Sequence, residues 1–253
     1  TDGVRGPAPE ILDQRFVTCL AVAATEILSA DRWIVGRDTR ESGPALSEAM
    51  LSAINHAGIS AVDCGVIPTP TIAYLSKIEN SGGVVVSASH NTWTDNGVKI
   101  FAPGGRKLFD QEQELIEKKL NELLSDTTAI PERRSDSIQH PNPTEDWMKS
   151  IAEAIENRSL DGAHVVIDCA NGSASHIAGP LFRGLGAKVD LINAEPDGRN
   201  INQDCGSTHT ESLSKIVQSA GADIGLALDG DADRLIAIAS NGELIDGDRQ
   251  LCM

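Results

Sequence analysis

"RWIVGRDTRESGPALSEAMLSAINHAGISAVDC", residues 32–64, carries the pattern that decides the fold. Arg32 to Gly36 is a short, mostly apolar run of strand type. From Pro44 to His56 the apolar residues recur at helical spacing, and Gly58 stands where a helix-ending glycine belongs. Ser60 to Cys64 returns to strand character. Strand, helix and strand in succession predict parallel strands joined by a covering helix.

The rhythm continues on both sides. Pro70 opens a helix through Lys77, Val84 to Val86 is a buried-type strand, and a polar helix runs from Gln111 to Leu124. Between Ser125 and Pro143 the periodicity fails in "SDTTAIPERRSDSIQHPNP", a linker composition. Beyond it, Pro143 starts a helix to Asn157, followed by a strand from His164 to Asp168 and a helix from Ser173. A strand from Lys188 to Asn193 comes next, then a helix from Glu211 to Ala220 and a strand from Asp223 to Leu228. "THTE" at residues 208–211 has capping-box spacing, and Leu235 to Ala239 with Asn241-Gly242 reads as an antiparallel hairpin. The expected class is α/β: two tandem three-layer α/β/α domains with mixed, mainly parallel sheets.

Composition bounds the function. The 253 residues are 40% hydrophobic and 23% charged, the profile of a soluble globular chain. No apolar run approaches the roughly 20 residues that span a bilayer, so no membrane partner is expected. A net charge of −16 with 3% aromatics argues against nucleic acid. Cys19, Cys64, Cys169, Cys205 and Cys252 are scattered without a C-x-x-C pair, as expected of reduced cytoplasmic thiols. The N-terminus lacks signal-peptide character and an initiator Met, and reads as beginning just inside a true start.

Two stretches carry chemistry. In "VVVSASHNTWTDNGVKIF", residues 84–101, an apolar strand empties into small polar residues before an expected turn at Asn96-Gly97. Either this is a long hairpin turn, or Ser89 is presented at a strand end because it reacts. In "LALDGDADRL", residues 226–235, Asp229, Asp231 and Asp233 follow a strand directly. Three carboxylates at that spacing repel one another, Arg234 alone cannot neutralise them, and a hard cation such as Mg²⁺ can. An EF-hand loop is disfavoured, because its glycine and glutamate positions hold Arg234 and Ser240. A phosphatase using Asp229 as nucleophile, or a solvated acidic turn, remain as alternatives. A phosphate on Ser89 would offer an oxygen to a metal held by the aspartates, making an activated phosphoryl donor.

"TDGVRG", "GRDTR", "SASHN…DNGVK" and "DGDADR" stand in the order and approximate spacing of the α-D-phosphohexomutase superfamily, which the whole chain resembles. "GRNINQDCGSTHTE", residues 198–211, is most similar to the bacterial phosphoglucosamine mutase branch. The resemblance implies that Ser89 is the phosphoserine and that Asp229, Asp231 and Asp233, with the Ser89 phosphate, hold one Mg²⁺. It implies that Arg5 and Arg234 flank the transferring phosphoryl group, that Lys99 is the general acid/base, and that His90 positions the sugar oxygen or phosphate. Lys99 could otherwise be a surface residue of a hairpin, and Arg5 a salt-bridge partner.

The implied reaction interconverts glucosamine 6-phosphate and glucosamine 1-phosphate through a bisphosphate, with glucosamine 1,6-bisphosphate or a similar compound as activator. It feeds UDP-N-acetylglucosamine synthesis. Mannose or glucose phosphate as substrate, and a non-catalytic metal- or phosphosugar-binding relative, stay open. The family has four domains. The expected boundaries are 1–130 for the phosphoserine domain, 143–246 for the metal-loop domain, and 247–253 for the start of a third. The chain reads as the N-terminal half, lacking domains 3 and 4 with their sugar- and phosphate-binding loops, and should turn over little alone. A homodimer is a further option. Two departures stand out: Thr92 replaces a proline, and Ala232 replaces a commoner glycine, tolerable if its φ is negative.

Overall fold

The computed structural model describes residues 3–126 and 138–252, so most of the expected linker lies outside the described residues. The chain divides into two compact units, one of residues 1–88 and 94–143, the other of residues 89–93 and 144–253.

The first unit contains β1 (Val4–Pro7), α1 (Gln14–Ile27), β2 (Arg32–Arg37), α2 (Gly43–His56), β3 (Ser60–Val66) and α3 (Thr69–Ile78). It continues with β4 (Gly82–Val86), β5 (Asp95–Ala102), β6 (Arg106–Lys107), α4 (Asp110–Ser125) and β7 (Ile138–Gln139). The sheet order is β1-β5-β4-β2-β3-β7, with β6 paired to β5. Strands β4, β2, β3 and β7 are mutually parallel, and β5 runs antiparallel between β1 and β4. Side chains alternate across the sheet, so each strand feeds two cores. Trp33, Val35, Val84, Val86 and Val98 pack with Leu20, Met50 and Ile116 from α1, α2 and α4. Ile34, Val62, Val85 and Phe101 face the other way, onto Ile72 and Leu75 of α3. That is the three-layer arrangement.

The second unit contains α5 (Glu145–Ala154), β8 (His164–Asp168), α6 (Ala178–Gly184), β9 (Lys188–Ile192), α7 (Glu211–Ala220), β10 (Ile224–Leu228), β11 (Leu235–Ala239), β12 (Leu244–Ile245) and α8 (Gly247–Leu251). Its sheet order is β12-β11-β10-β8-β9, parallel for β10, β8 and β9 and antiparallel at the β11 and β12 edge. Val165, Ile167 and Val189 pack with Ala174, Ala178 and Phe182, while Val166, Ala227 and Ile238 pack with Leu213 and Val217 of α7.

Three local expectations are corrected, and two elements come without one. Asn96-Gly97 is no turn: both residues lie inside β5, opposite Gly6 and Arg5 of β1. A side chain at Gly97 would collide with the Ser87 carbonyl and come within 2.8 Å of the Val4 carbonyl, so glycine serves strand packing there. The helix expected from Ser173 begins only at Ala178. Residues 172–177 form turns instead, with the Ser173 amide donating to Gly230 O and the Ser175 hydroxyl to Gly172 O. The capping box at 208–211 is absent: Thr210 caps α7 without a side-chain bond, and Thr208 contacts His209. Finally, β1 and α1 have no counterpart in the sequence reading, although Asp13 caps α1 by accepting from the Phe16 amide. Among the described residues no helix is long and apolar enough to cross a membrane.

Candidate active site

The parallel strands β8 and β10 end side by side, with Asp168 paired to Ala227, and open α/β sheets place their ligands beyond such carboxyl ends. Asp229 is the first residue after β10. Its side chain is fully buried, and its carboxylate accepts the Arg234 amide at 3.1 Å. Asp231 is also buried and Asp233 exposed, and one oxygen from each of the three lies within 4.8 Å of the others. The Asp229 carboxyl is raised to about 7: burial first, then repulsion from Asp231 and Asp233, push it up against the pull of the Ser89 hydroxyl and the Arg234 amide. A cation would relieve this. Three converging carboxylates form an all-oxygen donor set of the kind Mg²⁺ takes.

Ser89 belongs to the same unit. It is buried, its φ is +57°, and its hydroxyl donates to Asp229 Oδ2 at 2.6 Å. The Asn202 side-chain NH₂ donates to the carbonyls of Ser89 at 2.9 Å and Asn91 at 3.1 Å. Arg234 Nε stands 4.0 Å from Asp229 and 3.8 Å from Asp233, with its guanidinium half exposed. The second unit therefore gathers Ser89, the three aspartates and Arg234, with half-buried His90 next in the chain.

Arg5 and Lys99 belong to the first unit. Arg5 pairs with Gly97 on β5, and Lys99 lies two residues further along that strand. Period-two alternation puts both on one sheet face. The missing Cβ of Gly97 leaves room for the Arg5 stem, whose Cγ would lie 3.0 Å from it. Lys99 is only 4% exposed, which removes the surface-residue alternative.

Two family models match in order: phosphoglucomutase/phosphomannomutase alpha/beta/alpha domain I over residues 1–126, and domain II over residues 145–242. The chain belongs to the phosphoglucomutase/phosphomannomutase family. A phosphoglucosamine mutase of Rhodococcus jostii is 44% identical over 98% of this chain and 57% of its own length. One from Mycobacterium marinum is 41% identical over the same shares. A solved phosphoglucomutase/phosphomannomutase family protein of Burkholderia thailandensis superposes with a TM-score of 0.82 at 27% identity, over 98% of this chain and 56% of its own. The chain thus spans somewhat over half the length of the curated relatives it matches.

Within this family frame the condition set for tolerating Ala232 is not met. Ala232 has a φ of +55°, not a negative one. The loop turns back there, with the Ala232 amide bonded to Asp229 O at 3.0 Å. A Cβ in that region costs about 1–2 kcal/mol, partly offset by the greater freedom of glycine when unfolded. Ala232→Gly is therefore expected to stabilise the chain by about 0.5–1 kcal/mol. The check is a higher urea midpoint at unchanged slope, and a lower midpoint would contradict it.

Two site residues carry no sequence signal. Asp168 is buried and accepts the amides of Ala170 and Gly206, each at 2.9 Å, fixing two loops beside the aspartates. Asn202 is the other. It lies inside "GRNINQDC", but nothing in its spacing sets it apart from the neighbouring asparagines.

Proposed function

We propose that this chain carries the phosphoserine and the metal loop of a phosphosugar mutase acting on glucosamine phosphates. The single observation behind it is the buried Ser89 hydroxyl held 2.6 Å from Asp229 within a carboxylate cluster that calls for a cation. The 41–44% identical relatives named phosphoglucosamine mutase support glucosamine as the sugar.

In the proposed reaction a sugar hydroxyl attacks the phosphorus of phosphorylated Ser89. The new P–O bond forms as the P–Oγ bond breaks, leaving sugar bisphosphate and a serine oxygen that takes a proton from water and gives it back to water in the reverse transfer. The reverse transfer, from the other phosphate of the reoriented bisphosphate, restores phosphoserine. Lys99 accepts the proton of the attacking hydroxyl and returns it in the second half. Arg5 and Arg234 balance charge on the transferring group, and His90 orients it. Asp229, Asp231, Asp233 and a phosphoryl oxygen on Ser89 would hold Mg²⁺, which supplies charge neutralisation as the P–O bond loosens. Four buried unbridged thiols and a charged substrate fit the cytoplasm.

The test uses a full-length protein carrying this chain, incubated with Mg²⁺ and glucosamine 1,6-bisphosphate or glucose 1,6-bisphosphate. Intact mass and peptide mapping should show one phosphate on Ser89, and Ser89→Ala should gain none. A wild type that takes up phosphate from neither compound, or takes it up elsewhere, refutes the reading. Mutase turnover surviving in Ser89→Ala would refute it equally.

A further inference from the structure

Asn202 joins the serine segment to the loops at the sheet's carboxyl end. It is 8% exposed, its φ is +57°, and its amide nitrogen donates to Ser89 O at 2.9 Å and Asn91 O at 3.1 Å. Both partners are carbonyl oxygens, so only the NH₂ end of the side chain can face them. Two protons on one nitrogen thus hold the backbone on either side of His90. The Asn202 backbone N–H donates to Ala170 O at 2.9 Å, and Ala170 lies two residues after the buried Asp168. Asparagine meets two demands here: it tolerates left-handed backbone, and it presents a forked donor.

The metal loop closes on the same point. A Cβ on Gly230 would lie 2.7 Å from Ser89 O and 2.9 Å from Asn202 Nδ2. The residue between Asp229 and Asp231 must be small for this bond to exist. Ser89 stands in a left-handed conformation that non-glycine residues rarely hold unless their surroundings impose it.

We infer that Asn202 is a positioning residue: by holding the Ser89 and Asn91 carbonyls, it fixes the backbone conformation that aims the Ser89 hydroxyl at Asp229. The catalytic consequence rests on the proposed mutase reading. The structural claim does not.

The test compares wild type with Asn202→Gly and Asn202→Asp. Glycine keeps the left-handed backbone and deletes the donors; aspartate keeps the shape but turns an acceptor toward two carbonyls. Hydrogen exchange followed by mass spectrometry reads residues 89–93 separately from β8 and β10. Both variants should exchange at least about tenfold faster over 89–93, with β8 and β10 within about twofold of wild type. Unchanged exchange over 89–93 overturns the inference, and so does acceleration spread equally through β8 and β10.

In the full-length protein, the rate of Ser89 phosphorylation at saturating bisphosphate should fall about 10- to 100-fold with the half-saturating concentration unchanged. An unchanged maximal rate also overturns it. A wild type that takes no phosphate defeats the mutase reading alone, because the exchange experiment still decides the role of Asn202.

Discussion

Arg40→Met is expected to destabilise the first unit by about 3–5 kcal/mol, read as a fall in the urea midpoint. The Arg40 and Asp38 side chains are both fully buried, with Arg40 Nε 2.8 Å from Asp38 Oδ2. Arg40 also donates its amide to Asp38 Oδ1 at 3.0 Å and Nη1 to Asp95 O at 3.0 Å. The Ser87 hydroxyl donates to Asp38 Oδ2 at 2.6 Å, and the Asp38 amide to Val86 O at 3.1 Å. Burial pushes the Asp38 carboxyl up, and the guanidinium with these hydrogen bonds pulls it back. Methionine fills similar volume but strands that carboxyl with a hydroxyl and an amide for partners. Removing one member of a buried pair costs far more than the pair's net contribution, so Asp38→Asn combined with Arg40→Met should recover part of the loss. A loss under about 1 kcal/mol would mean that water reaches the pair, and would sink this account. Ser87 and Asp95 bracket in sequence the segment that bears Ser89, so the buried pair within "GRDTR" anchors both ends from which that segment departs.

Asp229→Asn is expected to change the pH dependence of stability and to remove most of the effect of Mg²⁺. Metal-free, the folded chain keeps a proton on Asp229 up to about 7, whereas the unfolded chain releases it near the ordinary value of 3.8. Between those values the folded state binds more protons, so stability from this group is present at low pH and is lost as pH rises through about 7. The contribution is on the order of a few kcal/mol. Asparagine abolishes it, and the difference between wild type and Asp229→Asn traces Asp229 together with the relief it gives Asp231 and Asp233. Mg²⁺ competes with that proton for the same oxygens. Its stabilisation of wild type should therefore be larger at pH about 8 than at pH about 6, and largely absent in the variant. The comparison needs KCl at matched ionic strength, because screening alone weakens repulsion among the three aspartates. A stability difference that does not vary with pH would remove the buried, repelled carboxyl from the account. An equal response of both proteins to Mg²⁺ would remove Asp229 from the metal loop.

Much of this was legible in the chain because it depends on near neighbours. The strand–helix–strand pattern of residues 32–64 needs only the period of its apolar side chains, and α2 and β3 fall where it puts them. The aspartate ladder is equally local: three carboxylates on alternate residues repel one another, and a hard cation is one answer that the residues themselves suggest. Asn96-Gly97 misled because a dipeptide typical of hairpins was recruited for close packing between β1 and β4. The Thr-x-x-Glu spacing at 208–211 misled because residues 206–208 form a short 3₁₀ turn instead.

The class of each unit, the place of Ser89 after a buried strand, and the mutual repulsion of Asp229, Asp231 and Asp233 were all readable along the chain. The left-handed backbone at Ser89 and Ala232, and the hold of Asn202 on a segment 113 residues away, came to light in the folded molecule alone. The reason is physical. Periodicity and charge repulsion act between chain neighbours, whereas the sign of φ at a loop residue and the pairing of a lone amide are imposed by segments that only folding brings together.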